Sequence, residues 1–90
     1  MLEATVRLTN RLGLHARAAA QLVRLANRFK CSVILKRSDT AVTANAKSIL
    51  SVLSIAASFG VELQVIANGV DEIEAIEHVG KLFADNFGEE

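Results

Sequence analysis

The stretch TVRLTNRLGLHARAAAQLVRLA, residues 5–26, changes its hydrophobic period halfway along. Before Asn10 the pattern alternates, with Ala4, Val6 and Leu8 on one side and Thr5, Arg7 and Thr9 on the other, which predicts a half-buried strand over Glu3–Thr9. From Ala16 the period lengthens, and Ala19, Leu22, Ala26 and Phe29 share one helical face. Between the two lies a turn, Asn10–Leu14, in which Gly13 tolerates positive φ. The opposite face of the helix carries Arg17, Gln21, Arg24 and Arg28, and Lys30 near its end complements the negative pole of the macrodipole.

Working outward, Cys31, Val33 and Leu35 alternate with Ser32, Ile34 and Lys36 as a second strand. After the polar RSDT, the run AVTANA pairs back as a third. Ser48 is a good N-cap for a short second helix in which Ile49, Val52, Leu53 and Ala56 recur at helical spacing, with Gly60 as a left-handed stop. Val61, Leu63, Val65 and Ala67 then alternate as a fourth strand that ends at Asn68-Gly69. In the last helix Asp71 and Glu74 match a variant capping box, and Ile73, Ile76, Gly80, Phe83 and Phe87 form the stripe expected to face the core. The order β-α-β-β-α-β-α predicts an α+β open-faced arrangement over residues 1–90, a single domain with the helices packed on one face of an antiparallel or mixed sheet.

The totals fit a folded domain: 51% of the 90 residues are apolar and 22% charged. Ten basic and ten acidic residues cancel, so no global field draws the chain to nucleic acid or an anionic membrane. One cysteine, Cys31, reads as a small core hydrophobe, and with only two distant histidines the chain offers no metal-ligand cluster and implies no cofactor. No apolar run reaches membrane-spanning length and MLEATVRLTN lacks a greasy leader, so a cytoplasmic protein is expected. An RNA-binding sheet would want stacking aromatics in a strand motif, whereas the chain has four Phe and neither Tyr nor Trp.

His15 is the anomaly. Histidine is a poor N-cap at a position where Ser, Thr, Asp or Asn serves far better. It precedes the free amides of Ala16, Arg17 and Ala18, which with the partial positive charge of the helix end form an anion site suited to a phosphoryl group. Arg17, two residues on, can reach back with forked donors to phosphate oxygens. Imidazole, with an unperturbed pKa of about 6.5, is substantially neutral near pH 7 and acts as a nucleophile. The bland alternative is that His15 ends a turn and Arg17 is one solvated charge among several. His78, on the charged side of the last helix among Glu74, Glu77 and Lys81, reads as surface.

GLHARAA at residues 13–19, with NAKSIL at residues 45–50, resembles the histidine-containing phosphocarrier family, HPr, of the bacterial phosphotransferase system, and the similarity spans the whole chain. The resemblance implies a β-α-β-β-α-β-α open-faced sandwich whose histidine, here His15, takes a phosphoryl group on Nδ1 from Enzyme I at the expense of phosphoenolpyruvate. An EIIA partner then receives the group, with Arg17 assisting. Ser48 matches a second site that HPr kinase/phosphorylase modifies in some bacteria. Ile49, Leu50 and Leu53 match a hydrophobic docking patch. Periodicity puts Ile49 and Leu53 on the buried stripe and leaves Leu50 as the exposed anchor, with Arg11, Arg17, Arg24 and Lys47 as a positive rim for an acidic partner.

Two departures stand out. Ala18 replaces the proline of the commonest family motif, losing a residue pre-set for a helix's first turn but gaining the best helix former. The segment from Arg37 to Asn45 and the ending LFADNFGEE are similar to the nitrogen-related branch, NPr. Three readings therefore remain at this stage: a monomeric sugar-system carrier, a nitrogen-related relay, and a regulatory module acting by contact alone.

Overall fold

The computed structural model describes residues 1–89. Four strands, β1 (Leu2–Arg7), β2 (Ser32–Arg37), β3 (Thr43–Asn45) and β4 (Glu62–Asn68), form one sheet in the order β1-β4-β2-β3, with every neighbouring pair antiparallel. Three helices, α1 (Ala16–Ala26), α2 (Ile49–Ser54) and α3 (Glu72–Ala84), complete the predicted order, and a tight 3-10 turn at Asn86–Gly88 follows. Register aligns Val65 with both Ala4 and Leu35, so alternate residues of three strands share one face. That face carries Val33, Leu35, Leu63, Val65 and Ala67 into a core completed by Ala19, Leu22 and Ala26 of α1 and by Val79 and Phe83 of α3. Glu62, Gln64, Lys36 and Thr5 stand on the other, open face. Cys31 is buried, and burial followed by the neighbouring Asp71 pushes its thiol upward in pKa, which suits a packing role.

The structure departs from the sequence reading in several details. β1 stops at Arg7, although Leu8 still donates to the Val61 carbonyl at 3.0 Å and is buried. In α2 the expected stripe of Ile49, Val52, Leu53 and Ala56 holds only at Val52, because Val52 and Ile55 are the residues that turn inward. Ile49 and Leu53, each 38% exposed, and Ala56 face outward. Nor does the helix run to Gly60: Ala56 takes the left-handed conformation at φ 50°, and the Arg37 guanidinium caps the preceding carbonyl of Ile55 at 2.9 Å.

In α3 the capping box does not form. The Asp71 carboxylate instead accepts from the backbone amides of Lys30 and Cys31, both at 2.8 Å, while Glu72 rather than Glu74 accepts from the Gly69 amide at 3.0 Å. Tied at Asp71, the helix presents Ala75, Val79 and Phe83 to the sheet, with Phe87 beyond it. Ile73 is left exposed, and Ile76 and Gly80 are only half-buried.

Candidate functional site

The turn ahead of α1 is clamped from inside. Gly13 donates to the Asn10 carbonyl at 3.1 Å, and the buried Asn10 side chain donates its Nδ2 to the Gly13 carbonyl at 2.9 Å. Gly13 sits at φ +63°, and a Cβ there would lie 2.7 Å from the Ala57 carbonyl oxygen, so the residue must be glycine for two reasons. Leu14 is buried and donates to Ala57 at 2.9 Å. His15 follows with extended backbone as the N-cap, its carbonyl accepting from Ala19 at 2.8 Å and its side chain making no cap bond. The first turn contains no acidic residue. No acidic side chain of that turn therefore sits against its amide pole. Ala18 is fully buried and α1 still begins at Ala16, so the missing proline does not delay the helix.

The His15 side chain is 23% exposed and that of Arg17 71%. Between them lies a group the sequence reading missed. Glu89 Oε2 is 2.6 Å from His15 Nε2 and 3.4 Å from an Arg17 guanidinium nitrogen, and Glu89 Oε1 accepts from Asn10 Nδ2 at 3.0 Å. The Asn10 amide chiefly, then His15 and Arg17, hold the Glu89 carboxyl below the ordinary glutamate range against the opposing effect of burial. Arg11, Leu12, Arg17 and Glu89 line an adjacent cleft of about 500 Å³. No spacing rule connects residues 74 apart, so Glu89 carried no usable signal.

α2 runs antiparallel to α1. Ala57, just past its C-terminal end, meets Leu14, and Lys47, just before its N-terminal end, meets the far end of α1, where Asn27 Nδ2 donates to the Lys47 carbonyl at 3.1 Å. Ser48 therefore lies at the end of α2 remote from His15, where its hydroxyl accepts from the Ser51 amide at 3.4 Å. Ile49, Leu50 and Leu53 are all exposed, Leu50 most of all at 78%, so the three share an outward face that periodicity had split. Lys47 is not a free rim charge: its ammonium donates to the Phe29 carbonyl at 2.7 Å and it is half-buried. Arg24 is exposed and lines a cleft toward α3 together with Leu82. His78 is exposed and packs edge-on against Phe29, with ring centroids 5.7 Å apart. Among the described residues no group of three or more His, Cys, Asp or Glu is placed to hold a metal, and no helix is long and apolar enough to cross a membrane.

An open-faced sandwich with an uncapped helix end beside a partly exposed histidine and an arginine has the build of a small group-carrier protein. Comparison with known proteins makes the class specific. Residues 2–85 match the family described as the PTS HPr component phosphorylation site. The phosphocarrier protein HPr of Treponema pallidum is 44% identical over the full length of both chains. The phosphocarrier protein NPr of Escherichia coli K12 is 38% identical over 96% of this chain and 94% of its own. Among solved structures, HPr of Thermoanaerobacter tengcongensis superposes with a TM-score of 0.93 at 38% identity, covering 100% of this chain and 99% of that one, and a dimeric form from that organism also matches.

The chain belongs to the HPr family. It is a phosphocarrier of the phosphotransferase system.

Proposed function

We propose that His15 is the acceptor: its Nδ1 takes the phosphoryl group from Enzyme I, charged by phosphoenolpyruvate, and yields it to an EIIA partner. Arg17 and the backbone amides of Ala16 and Arg17 hold the phosphate oxygens during the stay. The observation that carries this reading is the shared carboxylate of Glu89, 2.6 Å from His15 and 3.4 Å from Arg17. The two side chains already hold one anionic oxygen between them, and the helix end behind them is uncapped.

Docking falls to Ile49, Leu50 and Leu53, an exposed apolar face on α2, and the segment that follows the helix is bonded at Ala57 to the turn carrying His15. Arg11 and Arg17 border the site and Arg24 continues the positive charge along α1, which speeds encounter with an acidic partner more than it deepens affinity. A phosphate placed on Ser48 by HPr kinase/phosphorylase would set nearly two negative charges beside Ile49 and Leu50, tolerated by the helix end but repelling an acidic partner. The carrier works in the cytoplasm, as a monomer and as a single domain. We assign it to the sugar-related branch on its higher identity to HPr. The nitrogen-related alternative is supported by its similarity to NPr.

The test is phosphorylation by phosphoenolpyruvate and each of the two purified Enzymes I, sugar-related and nitrogen-related, followed by transfer to EIIA. The parent chain gains one phosphoryl group, faster with the sugar-related enzyme, and His15→Ala gains none while keeping its fold. Label undiminished in His15→Ala overturns the acceptor assignment, and faster labelling by the nitrogen-related enzyme reverses the branch.

A further inference from the structure

We infer that Glu89 is a positioning residue for phosphoryl transfer: it fixes the proton of the neutral His15 ring on Nε2 and so leaves the lone pair on Nδ1. The inference rests on the reading of His15 as acceptor. An ionised carboxylate can only accept hydrogen bonds. At 2.6 Å between Nε2 and Oε2, the ring nitrogen must therefore be the donor, and Nδ1 of the neutral ring is the nitrogen left without a proton.

The carboxylate is itself held in place, which separates it from a chance surface contact. Its side chain is only 13% exposed. Oε1 is bonded to Asn10, a fully buried residue whose same Nδ2 clamps the Gly13 carbonyl, so one amide fixes both the histidine turn and the carboxylate. The backbone route to Glu89 is unusual as well. Asn86, Phe87 and Gly88 take φ of 52°, 57° and 75° in succession, a left-handed run that two non-glycine residues seldom adopt. It is pinned by the buried Phe87 ring against Phe83, with centroids 5.0 Å apart, and by the side-chain contact between Asn86 and Thr9. The turn reverses the chain after α3 and delivers Glu89 to His15.

In the transfer step the Nδ1 lone pair forms the N–P bond as the donor's bond to phosphorus breaks, and the donor keeps that electron pair. No proton leaves the ring. With Nδ1 bonded to phosphorus and Nε2 still protonated, the imidazole becomes cationic, and Glu89 sits against the proton that carries this charge. When the acceptor takes the phosphorus, the N–P electron pair returns to Nδ1 and the ring is neutral again. The logic is that of a carboxylate orienting a catalytic imidazole from its far nitrogen.

The experiment pairs ring 15N NMR of His15 at pH 8 in the unphosphorylated protein with the rate of phosphorylation by Enzyme I and phosphoenolpyruvate. The parent shows one tautomer, protonated at Nε2. Glu89→Ala, checked for an unchanged amide spectrum, shows both tautomers and is phosphorylated on the order of fivefold more slowly. Glu89→Gln, whose carbonyl oxygen still accepts from Nε2, restores the single tautomer and a rate within about twofold of the parent. A Glu89→Ala protein with the parent's tautomer, or with the parent's rate, overturns this inference alone. A parent that Enzyme I does not phosphorylate overturns the acceptor assignment and the inference with it.

Discussion

The Leu14 amide donates to the Ala57 carbonyl at 2.9 Å, a bond that ties the turn bearing His15 to the segment just after α2. The bond couples the position of His15 to that of the apolar face formed by Ile49, Leu50 and Leu53. Because Gly13 has no room for a Cβ against that same carbonyl, the joint is sensitive to substitution. Gly13→Ala should cost about 2 kcal/mol from its left-handed backbone and the clash. It should also slow phosphorylation in molecules that remain folded. Denaturant titration and an Enzyme I assay check both, and parental stability with a parental rate contradicts the joint.

Arg17 is exposed, so its loss should cost little stability, whereas the proposed role beside a phosphoryl group makes its loss visible in the transfer rate. Arg17→Ala should leave the melting midpoint unchanged and slow phosphoryl transfer on the order of tenfold. Equal transfer rates for variant and parent contradict the role.

Leu50 and Leu22 separate docking from folding. Leu50→Asp, at a 78% exposed position, should leave the fold intact and raise the KM for Enzyme I on the order of tenfold. Leu22→Ala, at a fully buried one, should cost about 3 kcal/mol of stability and leave KM unchanged in the folded fraction. An unchanged KM for Leu50→Asp removes the patch from the interface.

Asp71 predicts a pH dependence. The Lys30 amide first, and then that of Cys31, hold its carboxyl below the ordinary 3.8. A depressed acid stabilises the fold when ionised, so its contribution is complete above that ordinary value and is lost as pH falls through the lower folded one. Asp71→Ala should melt several degrees below the parent at pH 7, with the gap narrowing in acid. Thermal melts from pH 7 to pH 2 check this, and a gap independent of pH contradicts it.

Much of this was legible in the chain because it is written in local patterns. The period change around Asn10–Ala16 gave β1, the turn and α1, and His15 does stand at the N-cap without a side-chain cap bond. Strands β2 and β4, buried on alternate residues, were legible for the same reason. Where tertiary partners decide, the pattern failed. The stripe of α2 was read one turn too broadly, because six residues give too little periodicity to show that only Val52 and Ile55 turn inward. The α2 stop at Ala56 depends on Arg37 arriving from β2, and Asp71 abandons its own helix for amides 40 and 41 residues away. Glu89 reaches His15 only through a left-handed turn at Asn86 and Phe87, which no local preference announces.

The most direct test of the central claim is 31P and 15N NMR of the chain after reaction with Enzyme I and phosphoenolpyruvate. The account predicts one acid-labile phosphoryl group, coupled to Nδ1 of His15, that disappears when EIIA is added. Phosphorus coupled to Nε2, or carried by His78 or a serine instead, would contradict it.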